Sequence, residues 1–354
     1  MSRERPGLSR FAPALIQWQR ERGRHGLPWQ GTRDPYRVWL SEIMLQQTQV
    51  STVIAYYDRF LQRFPDVGAL ASASQDEVMA LWSGLGYYSR ARNLHRCAQT
   101  VVADHGGVFP QTSEALESLP GIGASTAAAI AAFCFGQRVS IVDGNVRRVL
   151  GRLLAFDGDL SMQGPQRELW AQAQDLLPLA PSPEDMVSYT QGLMDLGAGL
   201  CTRTRPACGD CPVSTLCQAH GLGQQDRYPV KSRRLTRRHE SWWLLVLRSA
   251  SGADVWLERR PARGIWAGLH SVPVFADEAG ALQAAGADAA SVRSLPAVSH
   301  ALTHRELRLH PLLVEGVTDI ATPDSAVGQW VPLDRLSAFG LPAPVRNLLE
   351  RLPL

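Results

Sequence analysis

The stretch LESLPGIGASTAAAI, residues 116–130, decides the fold. An apolar lead-in reaches Pro120, Gly121 and Gly123 bracket Ile122, and a helix of small residues follows. Glycines let the backbone bend tightly and turn two N–H groups toward one point, and the start of the next helix adds its partial positive end. Such a turn is an anion site, and phosphate is its natural occupant. On the glycines alone a plain helix–helix turn competes with this reading. Context favours the anion site, because VSIVDGNVRRVLGRLL (139–154) supplies Arg147 and Arg148 after a second turn. A helix-hairpin-helix element gripping a DNA backbone accounts for both pieces.

Outward from the hairpin, residues 8–220 read as almost wholly helical. Apolar residues recur at three- and four-residue spacing in PYRVWLSEIMLQQTQVSTVIAYYDRFLQRF and SQDEVMALWSGLGYYSRARNLHRCAQTVVADH. Capping and turn residues separate the segments, among them Asp34-Pro35, Gly106-Gly107, Thr112-Ser113 and Pro181-Ser182-Pro183. Residues 221–240 carry six basic side chains against two acidic and read as a linker. From residue 241 the texture changes to strands. SWWLLVLRS, a SGAD turn and VWLERR form a hairpin, and ELRLHPLLVEGV and QWVPLD are further strands. ALQAAGADAA and the tail from Pro344 read as helices. The expected architecture is an all-α domain over 1–220, with the hairpin at about 112–136, then a smaller α+β domain over 241–354.

Composition limits the function classes. The chain has 354 residues, 45% apolar and 19% charged, enough for two or three cores. No apolar run reaches membrane-spanning length, and MSRERPGLSR lacks the apolar centre of a secretory signal. An intracellular, cytoplasmic and thiol-reducing setting follows, in which six cysteines favour metal over disulfides. Net charge is only +3, but 35 of the 36 basic residues are arginine and Lys231 is the sole lysine. Residues 1–230 therefore have no side-chain amine able to form a Schiff base.

Four cysteines, Cys201, Cys208, Cys211 and Cys217, fall within 17 residues at spacings of six, two and five intervening positions. Thiolates so grouped suit an iron–sulfur cluster. Structural zinc is the rival, but it more often uses two Cys-x2-Cys knuckles. Arg203 and Arg205 lie between the first two ligands, where a stiffened loop would present them to phosphates. Cys97 and Cys134 sit in apolar helices and read as core. Two acids complete the set: Asp143, otherwise a helix N-cap, and Glu42, otherwise a solvated helix carboxylate. Glycosidic bond cleavage commonly uses one acid to protonate the leaving group and one carboxylate to stabilise an oxocarbenium-like centre.

Taken together, LPW (27–29), PYRVWLSEIMLQQTQV (35–50), GLGYYSRARNLH (84–95), LPGIGASTA (119–127), VDGNVRRVL (142–150), MDLGA (194–198) and the cysteine loop resemble the adenine-specific, MutY-type branch of the endonuclease III-like helix-hairpin-helix superfamily. The resemblance extends over nearly the whole chain. It implies a monofunctional glycosylase acting on adenine opposite 8-oxoguanine or guanine in double-stranded DNA, with one [4Fe-4S] cluster on Cys201, Cys208, Cys211 and Cys217. Glu42 would protonate adenine N7, Asp143 would stabilise the sugar cation, and Asn145 would help organise the site. Trp29 would line the adenine pocket. Gln47 and Tyr87 would enter the helix beside the orphaned base, and Gly121, Gly123 and Ser125 would hold the DNA backbone. Ser125 stands where lyase relatives carry their Schiff-base lysine.

The C-terminal domain resembles a Nudix module that reads 8-oxoguanine. After RPARGIWAGLHSVPVF comes ADEAGALQAAGADAA, without the dense Arg-Glu-x-x-Glu-Glu box a pyrophosphatase needs. The family's Phe-Ser-His reading loop appears here as Leu302, Thr303 and His304, which keeps the hydroxyl and the imidazole but loses an aromatic contact. A monomer suits an enzyme that wraps its own substrate. The alternatives are an endonuclease III-type glycosylase/lyase, argued against by the missing lysine, and a non-catalytic iron–sulfur DNA-binding protein.

Overall fold

In the computed structural model, residues 8–232, 236–286, 291–317 and 328–352 are described. By contacts the chain forms two compact units: Met1–Gly68 with Arg96–Arg234, and Ala69–His95 with Leu235–Leu354. Fourteen α-helices are assigned among these residues: α1 Phe11–Arg22, α2 Pro35–Leu45, α3 Val50–Arg63, α4 Val67–Ser72, α5 Gln75–Trp82, α6 Ser89–His105, α7 Ser113–Glu117, α8 Ala124–Phe135, α9 Gly144–Leu153, α10 Gln163–Asp175, α11 Pro183–Asp195, α12 Gln218–Gly221, α13 Glu278–Ala285 and α14 Ala343–Leu349. Among the described residues, no helix is long and apolar enough to cross a membrane.

The first unit is built around α8. Its sequence, ASTAAAIAAFCF, is apolar on every side, and Thr126 through Ala132 are all buried. A helix of that kind belongs in a core, and its alanines let neighbours approach closely. α2, α7 and α11 pack against it, and α1 packs against α11. α9 instead buries one stripe, Val146, Val149, Leu150 and Leu153, at helical spacing. Thr112 caps α7 and Asp143 caps α9, each through its side-chain oxygen. α11 runs directly into a π-helical turn, Leu196–Leu200. Sequence periodicity gave no sign of that turn.

The second unit centres on a mixed sheet of β1 Arg238–Ser249, β2 Asp254–Arg259, β3 His270–Ser271, β4 Val274–Phe275, β5 Arg293–Ser294, β6 Val298–Ala301, β7 Arg305–Val317 and β8 Gly328–Pro332. β1 and β2 form the expected hairpin. β1 also pairs in parallel with β7, from Arg238↔Arg305 to Leu247↔Val314. β3 and β8 pair with β2, β4 with β1, and β5 and β6 with β7. Leu245, Leu247, Trp256, Ala281, Leu312 and Val314 make its core against α13. Part of the expected ALQAAGADAA helix, residues 287–290, lies outside the described residues, as do residues 233–235 of the linker.

Helical periodicity places residues 69–95 in the first domain, whereas by contacts they group with the second unit. Specific bonds hold them there. Asp76 pairs with Arg259, Arg92 Nη1 donates to the Ala267 carbonyl at 2.6 Å, and α5 packs on the 3-10 turn Leu333–Ala338.

Candidate active site

Glu42 lies on α2 beside the buried Ser41, Ile43 and Met44. Burial, and secondarily the Asp143 carboxylate, push its pKa up to about 8. A carboxyl in that state holds its proton near neutral pH, as a general acid requires. Two acids a hundred residues apart in sequence are thus brought within electrostatic reach. Asp143 is solvent-exposed at the mouth of α9, where its Oδ1 accepts from the Val146 N–H at 2.7 Å. It serves as an N-cap and lies within electrostatic reach of Glu42 at once.

Glu42 forms part of the wall of a cavity of about 650 Å3 whose lining includes Trp29, Val38, Ser41, Leu45, Ser188 and Gln191. That volume suits a small planar ligand. Trp29 is buried and packs edge-on against Tyr57, with ring centroids 5.4 Å apart. Arg24 and Gln191, also on the wall, converge on the buried Asp195. Its carboxylate accepts from the Arg24 N–H (2.9 Å), Arg24 Nε (2.7 Å) and Gln191 Nε2 (2.8 Å). A buried carboxylate needs such partners, and the network fixes the cavity wall. Sequence reading passed over it, although Asp195 is a carboxylate set between the apolar Met194 and Leu196 of MDLGA.

The hairpin turn has the expected form. Gly121 has φ +79°, a left-handed value that favours glycine, and Gly123 is the N-cap of α8 with no side chain capping the helix. Both glycines are exposed. Ser125 is engaged within the protein: its Oγ accepts from the Val142 N–H at 3.2 Å, one residue before Asp143. The serine therefore braces the segment that carries the catalytic candidate.

Asn145 ties this segment to the cysteine loop. Its Oδ1 accepts from Arg148 Nη2 at 3.0 Å, and Arg148 also donates to the carbonyls of Gly197 (2.6 Å) and Cys201 (2.7 Å). Gly197 packs so closely that an added Cβ would stand 2.9 Å from Asn145 Cβ. One turn on, the buried Arg152 donates to the carbonyls of Thr202 (2.7 Å), Arg203 (3.2 Å) and Gln225 (2.9 Å), and to Cys201 Sγ at 3.3 Å. Neither arginine's role at the cysteine loop has a local signal, since the bonds that reach it and its flanks span 49 to 73 residues.

Cys201, Cys208, Cys211 and Cys217 are all free thiols. Burial pushes the Cys211 thiol up to about 11, with Cys201, Cys217 and Cys208 adding to the rise, so the four sulfurs share one locality. Gln225 Nε2 approaches Cys208 Sγ at 3.7 Å. Four thiols with N–H donors around them fit the donor set an iron–sulfur cluster takes. Among the described residues, no three His, Cys, Asp or Glu side chains stand close enough to hold a single metal ion. Cys97 and Cys134 are buried in helices, and burial raises both thiols to about 12.

Gln47 and Tyr87 share an unusual backbone. Both are exposed non-glycine residues in the left-handed region, at φ +57° and +50°. Such conformations cost of order 1–3 kcal/mol and concentrate where a side chain must be presented. In the second unit Thr303 Oγ1 donates to Tyr87 Oη at 3.4 Å, bringing two predicted DNA-contacting residues together. His304 is exposed in the β6–β7 turn, where Leu302 N–H bonds the Arg305 carbonyl. α13 carries Glu278 as its only acid, so no metal-binding Nudix box exists on that helix.

Residues 40–174 match the family model described as HhH-GPD superfamily base excision DNA repair protein, and residues 243–351 match a NUDIX domain model. The adenine DNA glycosylase of Buchnera aphidicola subsp. Baizongia pistaciae is 32% identical over 351 residues, 97% of this chain and 96% of its own length. The adenine DNA glycosylase of Homo sapiens is 36% identical over 381 residues, covering 89% of this chain and 69% of its own. Among solved structures, a thermostable thymine-DNA glycosylase superposes with a TM-score of 0.55 at 28% identity, covering 61% of this chain and 97% of that one.

Proposed function

Because the chain belongs to the adenine DNA glycosylase family of helix-hairpin-helix base excision repair proteins, we propose that it excises adenine mispaired with 8-oxoguanine or guanine and leaves the strand uncut. The observation that carries this is Glu42, in the wall of a cavity of about 650 Å3, with its pKa pushed up to about 8 by burial and by the charge of Asp143.

A base inside a duplex is out of reach, so the adenine leaves the stack. Tyr87 and Gln47 act as wedges at the orphaned partner: the ring stacks in the gap and the amide meets base edges. The Gly121–Gly123 turn and the N-terminus of α8 hold the neighbouring phosphate. In the cavity, Trp29 lies against the flipped base and Glu42 protonates N7, making adenine a neutral leaving group. Asp143 places its carboxylate beside the developing sugar cation, and water completes the hydrolysis. Asn145 and Ser125 hold the Asp143 segment in place. Thr303 and His304 hydrogen-bond the 8-oxoguanine.

Cys201, Cys208, Cys211 and Cys217 would hold one [4Fe-4S] cluster, which would supply a covalent cross-link of the loop, and Arg148 and Arg152 connect that loop to α9. Iron and sulfide analysis tests the assignment: four of each per chain is expected, and one zinc per chain overturns it.

Single-turnover excision separates the function classes. Duplexes carrying adenine opposite 8-oxoguanine, adenine opposite guanine, an oxidised pyrimidine, or no lesion are compared. Adenine release from the first two alone is expected. No adenine release from any of them removes the proposal.

A further inference from the structure

Residues 83–88 connect α5 to α6 and carry Tyr87, 44% exposed, at their apex. Both feet of this loop rest on one backbone oxygen. The Ser83 hydroxyl donates to the Leu341 carbonyl at 2.8 Å, and the Tyr88 hydroxyl donates to the same oxygen at 3.1 Å. Tyr88 Oη also accepts from the Gly84 N–H at 3.4 Å, which closes the loop on itself. Leu341 is fully buried. Arg346 of α14 then clamps the arrangement. Its Nε and Nη2 donate to Ser83 Oγ at 3.3 and 3.2 Å, and Nη2 also reaches the carbonyls of Phe339 (3.0 Å) and Leu336 (3.5 Å).

Upper bonds stiffen the loop further. Trp82 Nε1 donates to the Gly86 carbonyl at 3.1 Å. The Arg90 guanidinium donates to the Leu85 and Gly86 carbonyls and lies 5.4 Å from the Tyr87 ring centroid. A side chain pushed between stacked bases meets an opposing force, because unstacking costs a few kcal/mol. A loop without backing would yield before the base does.

We propose that Arg346 and the Leu341 carbonyl form a backstop for the Tyr87 loop, so that the C-terminal segment serves the base-extrusion step as well as reading of the partner base. Arg346 is a positioning residue and touches no reacting atom. The inference rests on the reading of Tyr87 as a wedge.

The test uses the full chain and a duplex with 2-aminopurine beside the target adenine, so that fluorescence reports extrusion and quenched samples report excision. Arg346→Met is expected to slow the fluorescence rise and the excision together by about tenfold, the loss of a charged hydrogen-bonding group. The burst amplitude stays at the wild-type value, whereas partial unfolding would lower amplitude and leave the rate of the folded fraction unchanged. Arg346→Lys should recover part of the rate. A wild-type extrusion rate in Arg346→Met overturns the proposal, as does slowed excision with unchanged extrusion. Tyr87→Ala, run in parallel, separates the premise from the inference. If it extrudes and excises normally, the wedge reading fails; if it is slow while Arg346→Met is not, only the backstop fails. Should Arg346→Met not fold, Tyr88→Phe decides alone, with about tenfold slower extrusion expected for the two hydrogen bonds its hydroxyl makes and wild-type extrusion overturning the proposal.

Discussion

Glu42 and Asp143 are each ordinary in their own helices, and proximity makes them a pair. Burial, and then the Asp143 charge, push the Glu42 pKa from an ordinary 4.5 up to about 8. The proposed role requires Glu42 in its protonated form, so single-turnover excision should fall as pH rises through about 8. A rate still climbing above pH 8 would remove Glu42 as the acid. Stability follows the same proton. Below pH 4.5 the carboxyl is protonated in both the folded and unfolded states. Between 4.5 and about 8 the folded state binds more proton, so its contribution to stability is lost as pH rises through that window. Glu42→Gln, which cannot ionise, should abolish excision yet keep its melting temperature at pH 8 equal to or above that of the wild type. At Asp143 the two roles separate by substitution. Asparagine caps helices about as well as aspartate, so Asp143→Asn should lose excision with an unchanged melting temperature. Asp143→Ala should lose excision and about 1 kcal/mol of stability as well. An active Asp143→Asn protein would leave the residue as a cap alone.

At the scale of elements, α9 and the π turn after α11 join the Asp143 segment to the cysteine loop. They meet at Gly197, whose missing side chain admits Asn145, and Arg148 bridges the contact with three bonds. Gly197→Ala places a methyl 2.9 Å from Asn145 Cβ and 3.4 Å from its backbone, so one of the two elements must shift. The expected cost is about 1–3 kcal/mol in stability, accompanied by slower excision and faster loss of iron on incubation with a chelator. Wild-type excision and iron retention in a destabilised protein would show that the contact serves folding only. The hairpin was legible in sequence because its signals are local: two glycines, a polar cap and an apolar helix. The π turn and Arg148 were not, because a helix with one extra residue per turn keeps a near-helical pattern and the arginine's partners lie 49 and 53 residues away.

For the whole molecule, the cation inventory bears on the proposed outcome of the reaction. Lys231, exposed in the linker, is the only lysine, and neither the hairpin nor the cavity wall holds a side-chain amine. Borohydride should therefore trap no covalent adduct between the full chain and product DNA. A trapped species that survives Lys231→Arg would overturn the monofunctional reading. Long-range placement lay beyond what patterns carry. Residues 69–95 have the periodicity of the helical domain, yet Asp76, Ser83, Tyr88 and Arg92 bond to partners between residues 259 and 346. The parallel pairing of β1 with β7 likewise joins segments about sixty residues apart, beyond the reach of any turn signal. The sequence by itself determined the helix-hairpin-helix and cysteine-loop elements, the strand-rich second half and the absence of a Schiff-base lysine in the first 230 residues, since each depends on residue type or on neighbours a few positions away. Only the tertiary structure decided that burial raises the Glu42 pKa, that Ser125 braces the Asp143 segment and that the Tyr87 loop stands on Leu341 and Arg346. Burial, charge proximity and hydrogen-bond partnership are properties of positions in space, and distant parts of the chain supply them.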